Sequence, residues 1–143
     1  MHIYTLKKLF IMNKILKTAV LGLMISVLYG MSAYAQNSLP QSIISATAAG
    51  NARDLAAGFN DNIELVLPQK SGIFSKSQAE MVLKEFFSKN PPSSFKIIHQ
   101  GSRQNASFAI GNYKSGSSFY RFYFLTKKTN NKVLIHQLRI ERQ

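Results

Sequence analysis

The chain has 143 residues, of which 18 are basic, six are acidic and none is cysteine, so its formal net charge is +12. The lack of cysteine excludes structural disulfides, cysteine-ligated zinc, a thiol nucleophile and the lipidated cysteine of a bacterial lipoprotein. The basic residues are scattered, which is typical of a solvated surface, so we predict weak attraction to anionic surfaces and no nucleic-acid partner.

The first 35 residues contain the three parts of a cleavable secretory signal peptide. Four lysines precede an apolar run over residues 18–28, and the tripeptide Ala-Tyr-Ala ends at Ala35. This order is typical of secretory signals, and the apolar run is shorter than the roughly 20 residues that a membrane-spanning helix needs. We therefore predict cleavage after Ala35 and one periplasmic or secreted domain over residues 36–143. Met12 begins a shorter signal of the same kind, so Met1 and Met12 are both candidate starts.

The N-terminal half of the predicted domain contains mostly helical patterns. A capping box, Ser75 with Gln78, precedes the clearest amphipathic helix, which ends sharply at the prolines after Asn90. In chain order, we predict a short helix ending at Gly50, a second helix over residues 52–59, a turn at 60–62, a strand over 63–67, a loop over 69–72 and the long capped helix.

The C-terminal half is predicted to be an antiparallel meander of four strands. Asn130 and Asn131 predict a tight hairpin turn, because asparagine tolerates left-handed backbone angles. Helices followed by strands predict an α+β domain, with N-terminal helices packed on a curved antiparallel sheet. The four strands cover residues 95–100, 106–113, 119–126 and 133–141.

Several short motifs, taken in their order along the chain, add to this fold prediction. They are Ala-Arg-Asp-Leu-Ala from Ala52, Ile-Glu-Leu from Ile63, Ser-Lys-Ser-Gln-Ala from Ser75, Asn-Pro-Pro from Asn90, His-Gln-Gly from His99 and Ile-Gly-Asn-Tyr from Ile110. Together they resemble an uncharacterised family of small exported Bacteroidetes proteins with a nuclear-transport-factor-2-like, cystatin-like cone fold. The resemblance covers nearly all of the predicted domain and implies a fold and a compartment. It implies no activity, because such folds carry both enzymes and binding modules.

The alternation of side chains along each strand predicts which face of the sheet carries each candidate polar residue. His99 should share the apolar face of its strand with Phe95 and Ile97. It is then either a half-buried histidine satisfied by one hydrogen bond or a polar contact at the mouth of a pocket, together with Tyr113. His136 is expected to be half-buried and satisfied in the same way. The candidates for a ligand-binding site are His99, Tyr113, Arg121 and Tyr123.

The third strand of the meander has large side chains on both faces. Tyr120, Phe122 and Phe124 alternate with neighbours that include Arg121 and Tyr123. One face can pack on the long helix. The other face is either covered by a second element of a strongly curved sheet or exposed, in which case it marks an interface.

Two functions follow from these patterns. The first is a non-catalytic exported module that binds a small apolar ligand or a protein partner, including a second copy of the chain through the sheet. The alternative is a small isomerase- or hydratase-like enzyme with a pocket histidine or tyrosine. An acid such as Asp61 or Glu64 inside an enclosed cavity would favour the enzyme, although alternation directs Glu64 to water. No motif for a catalytic triad, a metal or a cofactor occurs, so we predict none of these.

Overall fold

The computed structural model describes residues 2–29 and 39–143, and the chain divides into two compact units, residues 1–35 and 36–143. In the first unit, His2–Tyr29 form one helix, α1. No helix within the described residues is both long and apolar enough to cross a membrane. The tripeptide ending at Ala35 lies outside the described residues, so cleavage after Ala35 stays a prediction.

Three helices follow in the second unit, and each has a recognisable cap. Gly50 ends the first of them in a left-handed conformation with φ of 65°, and the Asn51 side chain caps the second. Ser75 and Gln78 form the predicted capping box, with both reciprocal hydrogen bonds present. The helices are α2, Gln41–Ala49; α3, Ala52–Ala57; and α4, Lys76–Lys89.

Six strands form one sheet in the order β2-β1-β6-β5-β4-β3. The predicted meander β3 to β6 is confirmed, and β1 lies parallel to β6 at its side. Asn130 and Asn131, both with positive φ, form the predicted hairpin turn. Helices followed by a curved sheet make an α+β fold, as predicted. The strands are β1, Phe59–Val66; β2, Ser71–Ser75; β3, Ser94–Arg103; β4, Ala106–Ser115; β5, Ser118–Thr129; and β6, Lys132–Arg142.

Three boundaries in the N-terminal half were predicted wrongly. Residues 60–62 are part of β1 instead of a turn, because Phe59 already pairs with Ile135 of β6 and Asn62 pairs with Ser75 of β2. The second helix therefore ends at Ala57. The predicted loop over 69–72 runs into a short strand, β2, which pairs antiparallel with β1.

The helix-packed face of the sheet carries an aromatic core. In β5, Tyr120, Phe122 and Phe124 alternate onto this face and are buried. Phe86 of α4 makes edge-on ring contacts with Tyr120 and Phe122, with centroids 5.3 and 6.0 Å apart. Phe122 stacks on Tyr113 of β4 at 4.9 Å. Such ring contacts stabilise a core beyond the burial of area alone.

Candidate functional site

Tyr113, one of the predicted site residues, is part of the core. Its side chain is 1% exposed, and its hydroxyl donates a hydrogen bond to the main-chain carbonyl of Asn90. Burial raises the pKa of Tyr113 well above its usual value, with a smaller contribution from Tyr120. The hydroxyl is therefore neutral and already bonded, and it faces no enclosed cavity described in the structure.

Asn90 connects the end of α4 to this aromatic core. Its side-chain amide donates to the Phe86 carbonyl at 3.1 Å, and its Oδ1 accepts a hydrogen bond from the Tyr120 hydroxyl at 2.7 Å. With the Tyr113 bond, both tyrosine hydroxyls at this end of the sheet are satisfied by one residue. Buried polar groups usually need such partners, so this arrangement is structural.

His99 lies on the opposite face of the sheet from the one that alternation predicts. Ile97 pairs with Gly111, but His99 pairs with Ile110, so Ile98 is an extra residue in the ladder. Such a β-bulge reverses the alternation after it. His99 is consequently exposed, and its ring lies 5.4 Å from that of Phe108. The prediction that His99 shares a face with Phe95 and Ile97 was wrong for this reason.

Arg121 and Tyr123 lie on the same face as His99, which we call the outer face. Tyr123 pairs with Ile110 on one side and with Arg139 on the other. Arg121 is half-buried, and its Nε is shielded from solvent without a hydrogen-bond partner among the described residues. The outer face thus brings together three of the four predicted site residues and separates them from Tyr113.

The outer face combines apolar and cationic side chains. Phe108 and Phe119 are 41% and 53% exposed. Tyr123 and Leu125, on the same face of β5, are half-buried. The strand register places seven cations on this face, namely Lys96, Arg103, Lys114, Arg121, Lys127, Lys132 and Arg139.

The two acids of the outer face are already engaged. Glu64 accepts a hydrogen bond from the Gln137 amide at 2.8 Å, and Glu141 lies 3.6 Å from Arg139. Glu64 is exposed, as alternation predicts. Glu141 is also the cross-strand partner of Arg121 in the β5–β6 ladder. The cations outnumber these two acids, so the outer face is strongly positive.

His136 is an extra residue in β6, between the positions paired with Leu125 and Thr126. Its Nε2 is buried without a hydrogen-bond partner among the described residues, so the prediction of a satisfied histidine was wrong. Burial lowers its pKa below 6.5, and the nearby charge of Lys127 adds to that shift. The imidazole is neutral at pH 7 as a result.

A cleft on the helix side of the sheet was missed by the sequence analysis. It has a volume of about 510 Å³ and opens to solvent between the loop after β1, the C-terminal half of α4 and the ends of β5 and β6. Lys70, Lys89 and Arg142 line it together with apolar residues. These residues are scattered over the sequence, so no local pattern could have revealed it.

The described residues form no cluster suited to a metal ion. Within residues 2–29 and 39–143, no group of three histidine, aspartate or glutamate side chains could hold a metal ion. All six acidic side chains lie in the described part of the chain, and each is exposed or half-buried.

The comparisons with known proteins agree with this fold. The family model for domain of unknown function 4783 (DUF4783) matches residues 40–141. A DUF4783 protein from Bacteroides ovatus is 34% identical, with a TM-score of 0.70, over 73% of this chain and 96% of that one. One from Bacteroides uniformis is 32% identical, with the same TM-score, over 74% and 98% of the two chains. No curated protein matches the chain.

More distant structures show the fold alone. A Nostoc punctiforme domain of unknown function with a cystatin-like fold is 11% identical, with a TM-score of 0.57, over 72% of each chain. A nuclear-transport-factor-2-like protein of unknown function from Silicibacter pomeroyi is 8% identical, with a TM-score of 0.55, over 72% of this chain and 88% of that one. The chain therefore belongs to the DUF4783 family and has the nuclear-transport-factor-2-like α+β fold that its sequence predicts.

Proposed function

We propose that the domain is a non-catalytic binding module that holds an acidic protein partner on the outer face of its sheet. The observation that carries the proposal is the combination of exposed aromatic side chains and an excess of cations over acids on one face. Interfaces are enriched in aromatic residues and arginine, and a partner's carboxylates would pair with the cations of this face.

Charge favours an acidic partner over a second copy of the chain. Without residues 1–35 the domain keeps 14 basic and six acidic residues, a net charge of +8. Two such copies meeting by their outer faces would bring fourteen cations together with four acids, counting seven and two from each copy. Like charges across an interface weaken association.

The enzyme alternative has less support. A general base needs to lie within hydrogen-bond reach of a substrate proton in a partly dry site. No acid is buried among the described residues, the Tyr113 hydroxyl is bonded to Asn90, and His99 is on the exposed outer face.

A photo-crosslinking experiment in the native host tests the proposal. A photo-reactive amino acid replaces Tyr123 on the outer face, or Met81 as a control, since Met81 is 72% exposed on α4. We expect one crosslinked protein of acidic composition from position 123 and none of it from position 81. The crosslink should fade as salt rises, because rim charges are screened.

Charge-reversal variants make the test specific. Arg121→Glu with Arg139→Glu should abolish the crosslink from position 123, and the control Lys84→Glu on the exposed side of α4 should leave it unchanged. A crosslink to a second copy of the chain would overturn the acidic partner in favour of a homodimer. An equal product from position 81, or loss of the product with Lys84→Glu, would also overturn the proposal.

A further inference from the structure

The cleft on the helix side has the size and shape of a small-molecule site. Its volume of about 510 Å³ falls within the roughly 300–1,000 Å³ that is usual for ligand pockets. One wall is the loop after β1, with Pro68 and Lys70, and the other is the last two turns of α4. The ends of β5 and β6 close the far side with Tyr120 and Arg142.

The floor of this cleft is apolar. Leu67, Val82 and Phe86 line it and are each less than a tenth exposed, so they are held in place by the core. Tyr120 adds an aromatic face, and its hydroxyl is directed to Asn90. The floor therefore offers a fixed apolar surface on which a chain or ring of a ligand can lie.

The rim of the cleft is cationic. Lys89 pairs with Glu85 at 2.8 Å, so those two charges cancel. Lys70 lies over the Phe74 ring at 5.8 Å from its centroid and forms no ion pair, although its charge helps to lower the pKa of Glu85. The Arg142 guanidinium forms no hydrogen bond or ion pair with the described residues, and two unbalanced cations thus face an apolar floor.

We propose that this cleft binds an organic monocarboxylate with an apolar body, such as a medium-chain fatty acid. The carboxylate would pair with Arg142 and Lys70, since arginine binds carboxylates through two parallel hydrogen bonds. The apolar body would cover Leu67, Val82 and Phe86. The site lies on the other side of the sheet from the proposed partner surface and does not depend on it.

A titration of the ¹⁵N-labelled full chain with decanoate, below its micelle concentration, tests this site by NMR. We expect saturable shifts at the amides of Lys70, Phe86 and Arg142. Decanol, which lacks the charge, should bind at least about tenfold more weakly, because a charge-assisted hydrogen bond contributes about 1.5–3 kcal/mol. Acetate, which lacks the apolar body, should cause no saturable shift.

Matched variants distinguish specific binding in the cleft from the general attraction of anions to a basic protein. Arg142→Gln should weaken decanoate binding about tenfold or more, and Lys84→Gln, which removes a lysine outside the cleft, should leave it unchanged. Equal binding of decanol, equal loss in both variants, or shifts confined to α1 would overturn the proposal. The outer-face variant Arg121→Glu should bind decanoate normally, so failure here is distinct from failure of the partner proposal.

Discussion

The two faces of the same sheet satisfy different requirements, and β5 shows both within a few residues. Phe122 is fully buried among the rings of Tyr113 and Phe86, while its neighbour Tyr123 is half-buried and lies beside Ile110 and Arg139. Both residues are aromatic, and the sequence left open whether the face that carries Tyr123 is covered or exposed. The comparison teaches that an aromatic strand can stabilise the fold with one face and leave the other for binding.

Truncation of the two neighbouring rings should show the largest difference in stability between the faces. Phe122→Ala removes a buried ring that contacts Tyr113, Phe86 and Phe95, and we expect it to lower the free energy of unfolding by about 3–5 kcal/mol. Tyr123→Ala, one position on, should lower it by about 1 kcal/mol or less. Chemical denaturation of both variants checks this, and equal losses would contradict a difference between the faces.

Two glycines on opposite faces give a second comparison. A methyl group at Gly111 would overlap the Phe95 ring, which is packed against Phe122 and Phe124. A methyl group at Gly101 would meet the exposed Phe108 ring instead, which is free to move. Gly111→Ala should therefore cost about 1–3 kcal/mol and Gly101→Ala about 0.5 kcal/mol or less. Thermal denaturation that ranks Gly101→Ala as the worse variant would contradict this reasoning.

Removal of a single tyrosine hydroxyl should change the unfolding free energy less, and by an amount that depends on which face of the sheet carries the tyrosine. Tyr113→Phe leaves the Asn90 carbonyl without its hydrogen bond, and we expect a loss of about 1 kcal/mol in unfolding free energy. Tyr123→Phe removes a hydroxyl with no protein partner in the described chain and should be neutral. The proposal of a purely structural role for Tyr113 is contradicted if the two variants have the same stability.

The pH dependence of stability should report His136. Its pKa is below 6.5 in the folded protein, so the unfolded chain binds a proton more readily and stability falls as the pH drops below about 6.5. His136→Gln should reduce the change in unfolding free energy between pH 7.5 and 5. Lys127→Gln should reduce that change in part, because it removes a repulsive charge. Denaturation curves at several pH values check this, and an unchanged slope in His136→Gln would refute it.

Local patterns predicted much of the fold. The capping box at Ser75, the turn at Asn130 and the meander all depend on residues close in sequence, and all are confirmed. The strand character of Asn60, Asp61 and Asn62 was missed, because it depends on the pairing of Phe59 with β6 and of Asn62 with β2, which overrides their turn propensity. Strand β2 was missed for a similar reason, since it is short and gains its hydrogen bonds only from β1.

The candidate site was predicted less well than the fold. Alternation gave the right face for Glu64 and the wrong face for His99, and the difference is a single extra residue at Ile98. A bulge depends on how two strands meet and leaves no strong local signature. The cleft with Lys70 and Arg142 depends on three distant segments coming together, which a reading of local periodicity does not capture.

The bulge at Ile98 also bears on solubility. Strand β3 is the last strand of the sheet and pairs with a strand, β4, on one side only. The extra residue interrupts the regular ladder along this edge, and Lys96 and Arg103 place like charges on either side of it. Natural sheets resist edge-to-edge aggregation by these means. Deletion of Ile98 would therefore straighten this edge and make it a better template for pairing with other chains.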